Sequence, residues 1–342
     1  MKKPKFVTGE EAAAMIKDDS TIATIGMTLV SASETILKAI EKRFLETGSP
    51  NHLTLVHSCG QSDRDRGIQH FSHEEMLYRI IGGHWGLQPR MMKLISENKI
   101  LAYCIPQGQF AQLYRSMAGG EPGKITKVGL GTFIDPRIDG GKMNAITKDA
   151  PDIVDVVTID GEEYMRYKPI PLDYCIIRGT YVDEMGNLTT DEEAMQLEVF
   201  SAVMACKKFG GKVIAQAKYK VKSGTLHCKR VTVPGIFIDA VVMCPNPEED
   251  HRQTHSFAFD PAYCLSLIHI YRKSFLKSSN NNHIYQRHDR TKRNISTCNK
   301  NRSSYTDCHT NRTCISGNEG SKKRYTQSTC HYSINPKKYY KQ

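Results

Sequence analysis

The 342-residue chain contains no run of about 18 consecutive apolar residues, so no membrane-spanning helix is expected. The N-terminal stretch MKKPKFVTGEEAAAM has basic residues with no apolar run behind them, so no signal peptide is expected either. There are 11 cysteines and no Cys-x-x-Cys pair. Cys59, Cys104, Cys175, Cys206, Cys228, Cys244 and Cys264 are scattered, mostly inside apolar runs such as CIIRG and VVMCP. That usage fits reduced, buried side chains in a cytoplasmic protein. Cys298, Cys308, His309 and Cys314 match no standard zinc spacing, so no metal site is expected there.

A further lack is local. Residues 265–342 contain no Ala, Val, Met or Trp. They hold 16 of the 47 basic side chains but 3 of the 36 acidic ones, a balance of +13, and leave 31 basic and 33 acidic residues before them. The basic character of the whole therefore belongs to this tail. Too little apolar surface is present to offset the entropy of ordering it, and disorder is expected over 263–342. Leu265-Ser-Leu-Ile-His-Ile270 resembles one reading frame of the transposon-end adaptor used in DNA library preparation. The Lys, Asn, Ile and Tyr richness that follows is what AT-rich DNA gives in a wrong frame. The expectation is that residues after about Tyr263 are not native coding sequence. The competing reading is a genuine basic arm that binds nucleic acid or an acidic partner.

Residues 1–262 are long enough for one large domain with a real core. Thr8 with Glu11, and Ser31 with Glu34, read as capping boxes opening two helices. The second helix, SETILKAIEKRFLET, is closed by Gly48. STIATIG, HLTLVHSC and ILAYCIP read as strands, and QPRMMKLISEN and QGQFAQLYRSM as helices. This rhythm predicts an α/β fold with an open, mostly parallel sheet flanked by helices, whose strand ends face a ligand crevice. After Pro151, DIVDVVTIDGEEYMRYKP predicts a hairpin turning at Asp160-Gly161. DYCIIRGTYVDEMGNLTTDEEA predicts a strand and then a turn at Gly186. DEEAMQLEVFSAVMACKKFGG reads as one long amphipathic helix from about Asp191 to Gly210, with strands KVIAQAKYKV and PGIFIDAVVMCP beyond.

Seven collinear blocks carry a resemblance that spans roughly residues 4–261: KAIEKRFLETGSP, DRGIQHFSHEEML, GGHWGLQP, ENKILAYCIPQGQFAQLYR, KVGLGTFIDPRIDGGKMN, IIRGTYVDEMGNLT and VPGIFIDAVV. The chain resembles the family I coenzyme A transferases, in particular the fused propionate/acetate (short-chain acyl) type. The resemblance implies two similar α/β halves with the active site between them, of which this chain looks like the α half alone. It implies an acyl-CoA and a short-chain carboxylate as substrates and no metal or redox cofactor. A glutamate nucleophile passes through a mixed anhydride to a glutamyl-CoA thioester. Backbone N–H donors stabilise the developing negative charge.

The family carries that glutamate in its β half, in a motif like S-E-N-G or E-S-G. No catalytic residue is therefore expected here, and the chain alone is expected to be inactive. Its partners would be a β-like half and, when intact, further copies of itself. The alternatives are a separate α subunit with an independently encoded β chain, or a binding protein whose basic tail grips nucleic acid. Ser96-Glu97-Asn98-Lys99 mimics the glutamate motif but has Lys where Gly belongs, at a helix end, so Glu97 is not assigned as nucleophile.

The candidate substrate and CoA contacts follow from the matched blocks. Gly26 is what survives here of the family's Gly-Gly-Phe signature, in Ile25-Gly26-Met27-Thr28-Leu29 with Ser33 where Pro is usual. Gln107 and Gly108 open a helix at a strand's carboxyl end, a place suited to a carboxylate or carbonyl oxygen. Gly129, Gly131 and Thr132 form a glycine-rich turn, and Lys142 in Gly140-Gly141-Lys142 is a cation for CoA phosphates. His251 and His255 have helical metal spacing in a polar loop that argues against ligation. Trp85 reads as a packing anchor.

Overall fold

The computed structural model describes residues 3–261. The expected foreign tail, with Cys264 and the Cys298 to Cys314 set, lies outside the described residues.

Thirteen strands are described: β1 (Lys5–Val7), β2 (Thr21–Thr24), β3 (Leu53–His57), β4 (Leu77–Gly82), β5 (Leu101–Cys104), β6 (Lys124–Thr126), β7 (Val154–Ile159), β8 (Glu162–Tyr167), β9 (Tyr174–Asp183), β10 (Leu188–Thr189), β11 (Lys212–Val221), β12 (Val231–Val233) and β13 (Ala240–Met243). The helices are α1 (Gly9–Ala14), α2 (Glu34–Thr47), α3 (Pro89–Ser96), α4 (Gln107–Gly119), α5 (Ala145–Lys148), α6 (Val199–Lys208) and α7 (Pro247–Asp250).

The main sheet runs β1-β13-β11-β9-β2-β3-β4-β5, and each of these pairings is parallel. Its strands are buried on both faces, and alternation divides the side chains between two cores. Ala23, Val56, Ile81, Tyr103, Ile177 and Ala215 meet α4 and α6 on one face. Ile22, Leu55, Ile80, Ala102, Ile176 and Ile214 meet α1, α2 and α3 on the other. Burying each such Ile or Leu contributes about 1.5–3 kcal/mol, so the two-sided sheet anchors the fold. No helix among the described residues is long and apolar enough to cross a membrane.

The chain order reverses at β2 and β9. From β2 the sheet grows through β3 and β4 to β5; the later strands lie on the other side of β2. A reversal of this kind leaves a crevice at the carboxyl ends of the strands. β6, β8 and β7 make a separate antiparallel sheet. Its β7–β8 turn falls at Asp160-Gly161 as expected, with φ of 53° and 82°, the doubly left-handed geometry that favours Asp-Gly.

Three local expectations need correction. Thr8 and Glu11 do form a reciprocal capping box, but Ser31 and Glu34 do not. Helix α2 starts at Glu34, and that carboxylate instead accepts from the Gly67 amide at 2.8 Å and meets His70 at 2.7 Å. The expected long helix from Asp191 is helical only over Val199–Lys208. Asp191, Glu192 and Glu193 leave it for Arg230, Lys218 and Arg178. Strand β4, in LYRIIG, was not foreseen; it lies between β3 and β5.

Candidate functional site

The loops that leave β2, β3, β4 and β5 at their carboxyl ends converge on one crest. Thr28 N–H donates to the Gly60 carbonyl at 2.8 Å, which joins the first two. Ile105 N–H donates to the Gly82 carbonyl at 3.0 Å, which joins the last two. Gly83 is the tightest point: a Cβ there would lie 2.3 Å from the Ser58 carbonyl oxygen, which only hydrogen in place of a side chain allows. His57 supports the crest from below. Its Nδ1–H donates to the Cys59 carbonyl at 2.8 Å, and its Nε2 accepts from the Trp85 indole at 3.0 Å. Burial holds His57 neutral, with its pKa lowered to about 4. Trp85 is thus a buried anchor, as the sequence suggested.

Two helices begin at this crest. Helix α4 starts directly after β5, with Pro106 at its cap and no side-chain cap bond. Helix α6 starts after Glu198, also without a side-chain cap bond. They pack side by side, and Gly120 beyond the end of α4 faces Lys208 at the end of α6, so the two run in the same direction. Their N-terminal amides, which lack intrahelical acceptors, and the positive ends of both dipoles therefore meet at one edge.

Glu198 is the acidic group at that edge. It is 9% exposed and accepts a short hydrogen bond from the hydroxyl of Ser58, which is 2% exposed. Its own backbone N–H is its other described polar contact. Burial raises its pKa above the usual glutamate value, and the backbone contact opposes that only in part. Cys59, Tyr114 and Cys175 face it; burial is the main cause that raises each of their pKa values, and the charge of Glu198 adds to the rise. Several buried polar atoms around the crest have no hydrogen-bond partner among the described residues: Thr24 Oγ1, Gln61 Oε1, Gln109 Oε1 and the Tyr114 hydroxyl. Each such atom costs about 1–3 kcal/mol, and concentrating them beside two open helix ends is what a polar binding site requires.

The candidates read from sequence divide into two places. Gly26, after β2, and Gln107 and Gly108, after β5, lie along the crest, separated by β3 and β4. Gly26 is buried against Gln61, where a Cβ would lie 2.0 Å from Nε2, so its part is close packing. Gln107 and Gly108 are exposed, and open space surrounds Gly108. Gly129, Gly131 and Thr132 sit beside the small sheet instead. The Gly131 amide donates to Asp135 at 2.9 Å and the Thr132 hydroxyl to the Gly129 carbonyl at 2.8 Å, so this turn closes on itself. Lys142 lies at the free edge of β5, bridged to Tyr103, with its ammonium 2.8 Å from Asp152. Glu97 is the C-terminal cap of α3, just before β5 begins at Leu101, at the end of the strands away from the crest.

His251 and His255 do not converge. The first is buried on Glu193 at 3.0 Å, the second exposed beside Asp63. Among the described residues no cluster of His, Cys, Asp and Glu could hold a metal. Sequence reasoning missed Ser58, Gln61 and Glu198. Ser58 and Gln61 lay in HSCGQ, whose position after a strand was the available clue. Glu198 was hidden inside an apparent helix.

Comparison with known proteins adds the family context. The family described as Coenzyme A transferase matches residues 6–243. The chain is 38% identical over 264 residues to caffeate CoA-transferase of Acetobacterium woodii, covering 77% of this chain and 50% of that protein. It is 37% identical to acetate CoA-transferase YdiF of Escherichia coli K12, covering 70% of this chain and 45% of the other. The crystal structure of the acyl-CoA transferase YdiF apoenzyme from E. coli O157:H7 superposes with a TM-score of 0.70 at 35% identity, over 74% of this chain and 48% of that one. The chain thus spans about half the length of these relatives. Against the acetoacetyl-CoA:acetate/butyrate CoA transferase alpha subunit of Clostridium acetobutylicum it is 27% identical over 98% of that protein.

Proposed function

Because the chain belongs to the coenzyme A transferase family, we propose that it is the α half of a cytoplasmic, oligomeric short-chain acyl-CoA:carboxylate CoA-transferase and supplies the oxygen-binding side of a site completed by a second half. The carrying observation is the open start of α4: Gln107 and Gly108 are exposed on the crest, beside the equally uncapped start of α6. That arrangement offers N–H donors to an oxygen that gains negative charge, in a place where the helix dipoles add to the effect.

The chemistry would run as follows. A glutamate of the second half attacks the acyl-CoA carbonyl and expels CoA thiolate, forming an acyl-glutamyl anhydride. The thiolate attacks the glutamyl carbonyl, releasing the first carboxylate and leaving a glutamyl-CoA thioester. The acceptor carboxylate then repeats the exchange in reverse order. Each attack passes through an oxyanion, and the Gln107 amide with the first α4 backbone N–H groups would hold it. The related E. coli enzyme has a described thioester complex with CoA, which favours this covalent route. Neither Gly129–Thr132 nor Lys142 is needed, since their donors and charge are already engaged. In a second reading this half is an independent subunit, favoured by the near-complete coverage of separate alpha subunits.

The test is complementation. Purified chain with acetyl-CoA and propionate should give no exchange. Adding a separately produced β-like half should start turnover, and Gln107→Ala should lower kcat about 100-fold or more. Turnover by the chain alone, or a Q107A variant as fast as the parent, refutes this reading.

A further inference from the structure

Two glutamates and two histidines meet beside the crest. Glu34 and Glu41 stand about two helical turns apart on one face of α2. His70 and His73 come from the short 3₁₀ turn Gly67–Phe71 and the residues just after it, where the loop leaving β3 ends. His70 is buried between the two carboxylates: its Nε2 lies 2.7 Å from Glu34, and its Nδ1 makes a short contact with Glu41. A carboxylate only accepts, so both ring nitrogens carry protons and the ring is a cation. Burial is the largest single influence on His70 and opposes that charge, but Glu34 and Glu41 together prevail and raise its pKa to about 9. Two more groups face Glu41: His73 Nε2 at 2.8 Å and Arg90 of α3 at 3.6 Å. Glu34 shares a narrow crevice with Arg66, Arg178, Glu249 and Arg252, in which Arg178 is taken by Glu193 while Arg66 and Arg252 flank Glu249.

This cation reaches the candidate site through the backbone. The other oxygen of Glu34 accepts from the Gly67 amide at 2.8 Å, and the next amide, Ile68, donates to the Gln61 carbonyl at 2.9 Å. Gly67 has a φ of 69°, and a Cβ there would lie 2.1 Å from that same carbonyl oxygen, so the clasp has no slack. The clasp holds the 58–66 loop, which carries Ser58 and Gln61 and is tied to Thr28 through the Gly60 carbonyl. The loop also reaches Trp85, because the Cys59 carbonyl and the indole bond to the same His57 ring.

We propose that His70 is a positioning residue for the candidate site: its two ring protons fix Glu34, Glu34 fixes Gly67 and Ile68 on Gln61, and removing one ring proton frees the 58–66 loop. This rests on the CoA-transferase reading for what the loop serves, but the holding of the loop requires no turnover. The nitrogen that gives its proton to water turns a lone pair toward a carboxylate oxygen, so a hydrogen bond is replaced by repulsion. The stability that the charge lends is complete below about pH 6.5, the ordinary histidine value, and is lost as pH rises through about 9.

The experiment follows Trp85, the single tryptophan of the chain, by acrylamide quenching of the purified full chain from about pH 6 to about pH 9.5, below the ordinary tyrosine range. In the parent, access of the quencher should rise with a midpoint near pH 9. His70→Gln should be accessible throughout and show no transition. Glu41→Gln keeps an oxygen for the Nδ1–H but removes a counter-charge, so its midpoint should move down by about 1–3 pH units. Circular dichroism confirms that both variants fold. A merely structural role would lower the melting temperature of E41Q and leave the midpoint in place; that result overturns the proposal, as does a flat parent curve or a transition that survives in H70Q. The H70Q curve also separates His70 from Cys59, whose thiol burial pushes above its ordinary value. If quenching behaves as described and complementation gives no turnover, the role of His70 stands and the activity reading fails. Turnover in the complemented enzyme with an alkaline limit that E41Q leaves unmoved upholds the activity and overturns the role of His70.

Discussion

Glu193 and Glu198 belong to one short stretch between β10 and α6, and both are at least nine-tenths buried. Glu193 is fully partnered. Arg178 meets it with two donors at 2.8 and 2.6 Å, His251 lies at 3.0 Å, Gln253 donates at 2.9 Å and the Ser31 amide at 3.2 Å. Burial alone would raise its pKa, but Arg178 and His251 together hold it well below the usual range. Glu198 has Ser58 and its own amide, and burial prevails. The first carboxylate ties the loop after β2, strand β9 and the segment after α7 into one unit. The second is left under-satisfied at the edge of a cleft. Full partnering marks a structural charge, and sparse partnering marks a place where a ligand can contribute the missing contact.

The largest expected effect comes from breaking the saturated side. Glu193→Gln leaves the guanidinium of Arg178, 1% exposed at its side chain, buried without its counter-charge. Removing one member of a buried pair costs about 3–5 kcal/mol, so the melting temperature should fall by about 10 °C. The pH dependence has a definite sign. A carboxylate whose pKa is lowered by folding stabilises the fold above its unfolded value and loses that contribution as pH falls below it. The gap between parent and E193Q should therefore narrow as urea melts are taken below the ordinary glutamate value of 4.5. A gap that persists or widens there refutes the assignment of charge to Glu193.

A smaller loss follows from His251→Ala. Burial and the nearby Arg178 keep this imidazole neutral, with its pKa lowered to about 4, so no charge pair is lost with it. The cost is a buried hydrogen bond and some packing, about 1–3 kcal/mol. A loss as large as that of E193Q would mean that His251 is charged in the fold.

These two glutamates also show where sequence reading stops. The layout of β2, α2, β3, α3, β5 and α4 was legible because each element repeats at its own period and carries local punctuation. Thr8 bonds Glu11 three residues away, and Gly48 ends α2 in the left-handed conformation at φ 72°. Asp160-Gly161 turns a hairpin that nothing distant contradicts. Where a carboxylate has a distant partner, local grammar misleads. Glu34 sits where a capping box would use it, but it bonds Gly67 and His70, some 33 and 36 residues on. Asp191, Glu192 and Glu193 look like a helix start, yet they reach residues 230, 218 and 178. In the candidate site, the place of Gln107 and Gly108 at the start of α4 was legible because a strand, a proline and a helix follow one another in the chain. Ser58 and Glu198 were not, because their meeting joins positions 140 residues apart.

The smallest effect is the sharpest probe of the sparse side. Glu198→Gln keeps an oxygen to accept from Ser58 and replaces the carboxyl by a group that never ionises. Near pH 4, where Glu198 is already protonated in the fold, the substitution should change stability by less than about 1 kcal/mol. At higher pH the two proteins should diverge. A carboxyl whose pKa is raised by folding holds its proton while the unfolded chain gives its own up, so the parent loses stability as pH climbs above the ordinary glutamate value of 4.5, and the loss levels off only beyond the folded value. E198Q lacks that term and should become the more stable of the pair across about pH 5–7, the reverse of the E193Q comparison. Urea midpoints that move in parallel for parent and E198Q over that range would mean that Glu198 ionises as readily in the fold as out of it, and the contrast between the two carboxylates would be lost.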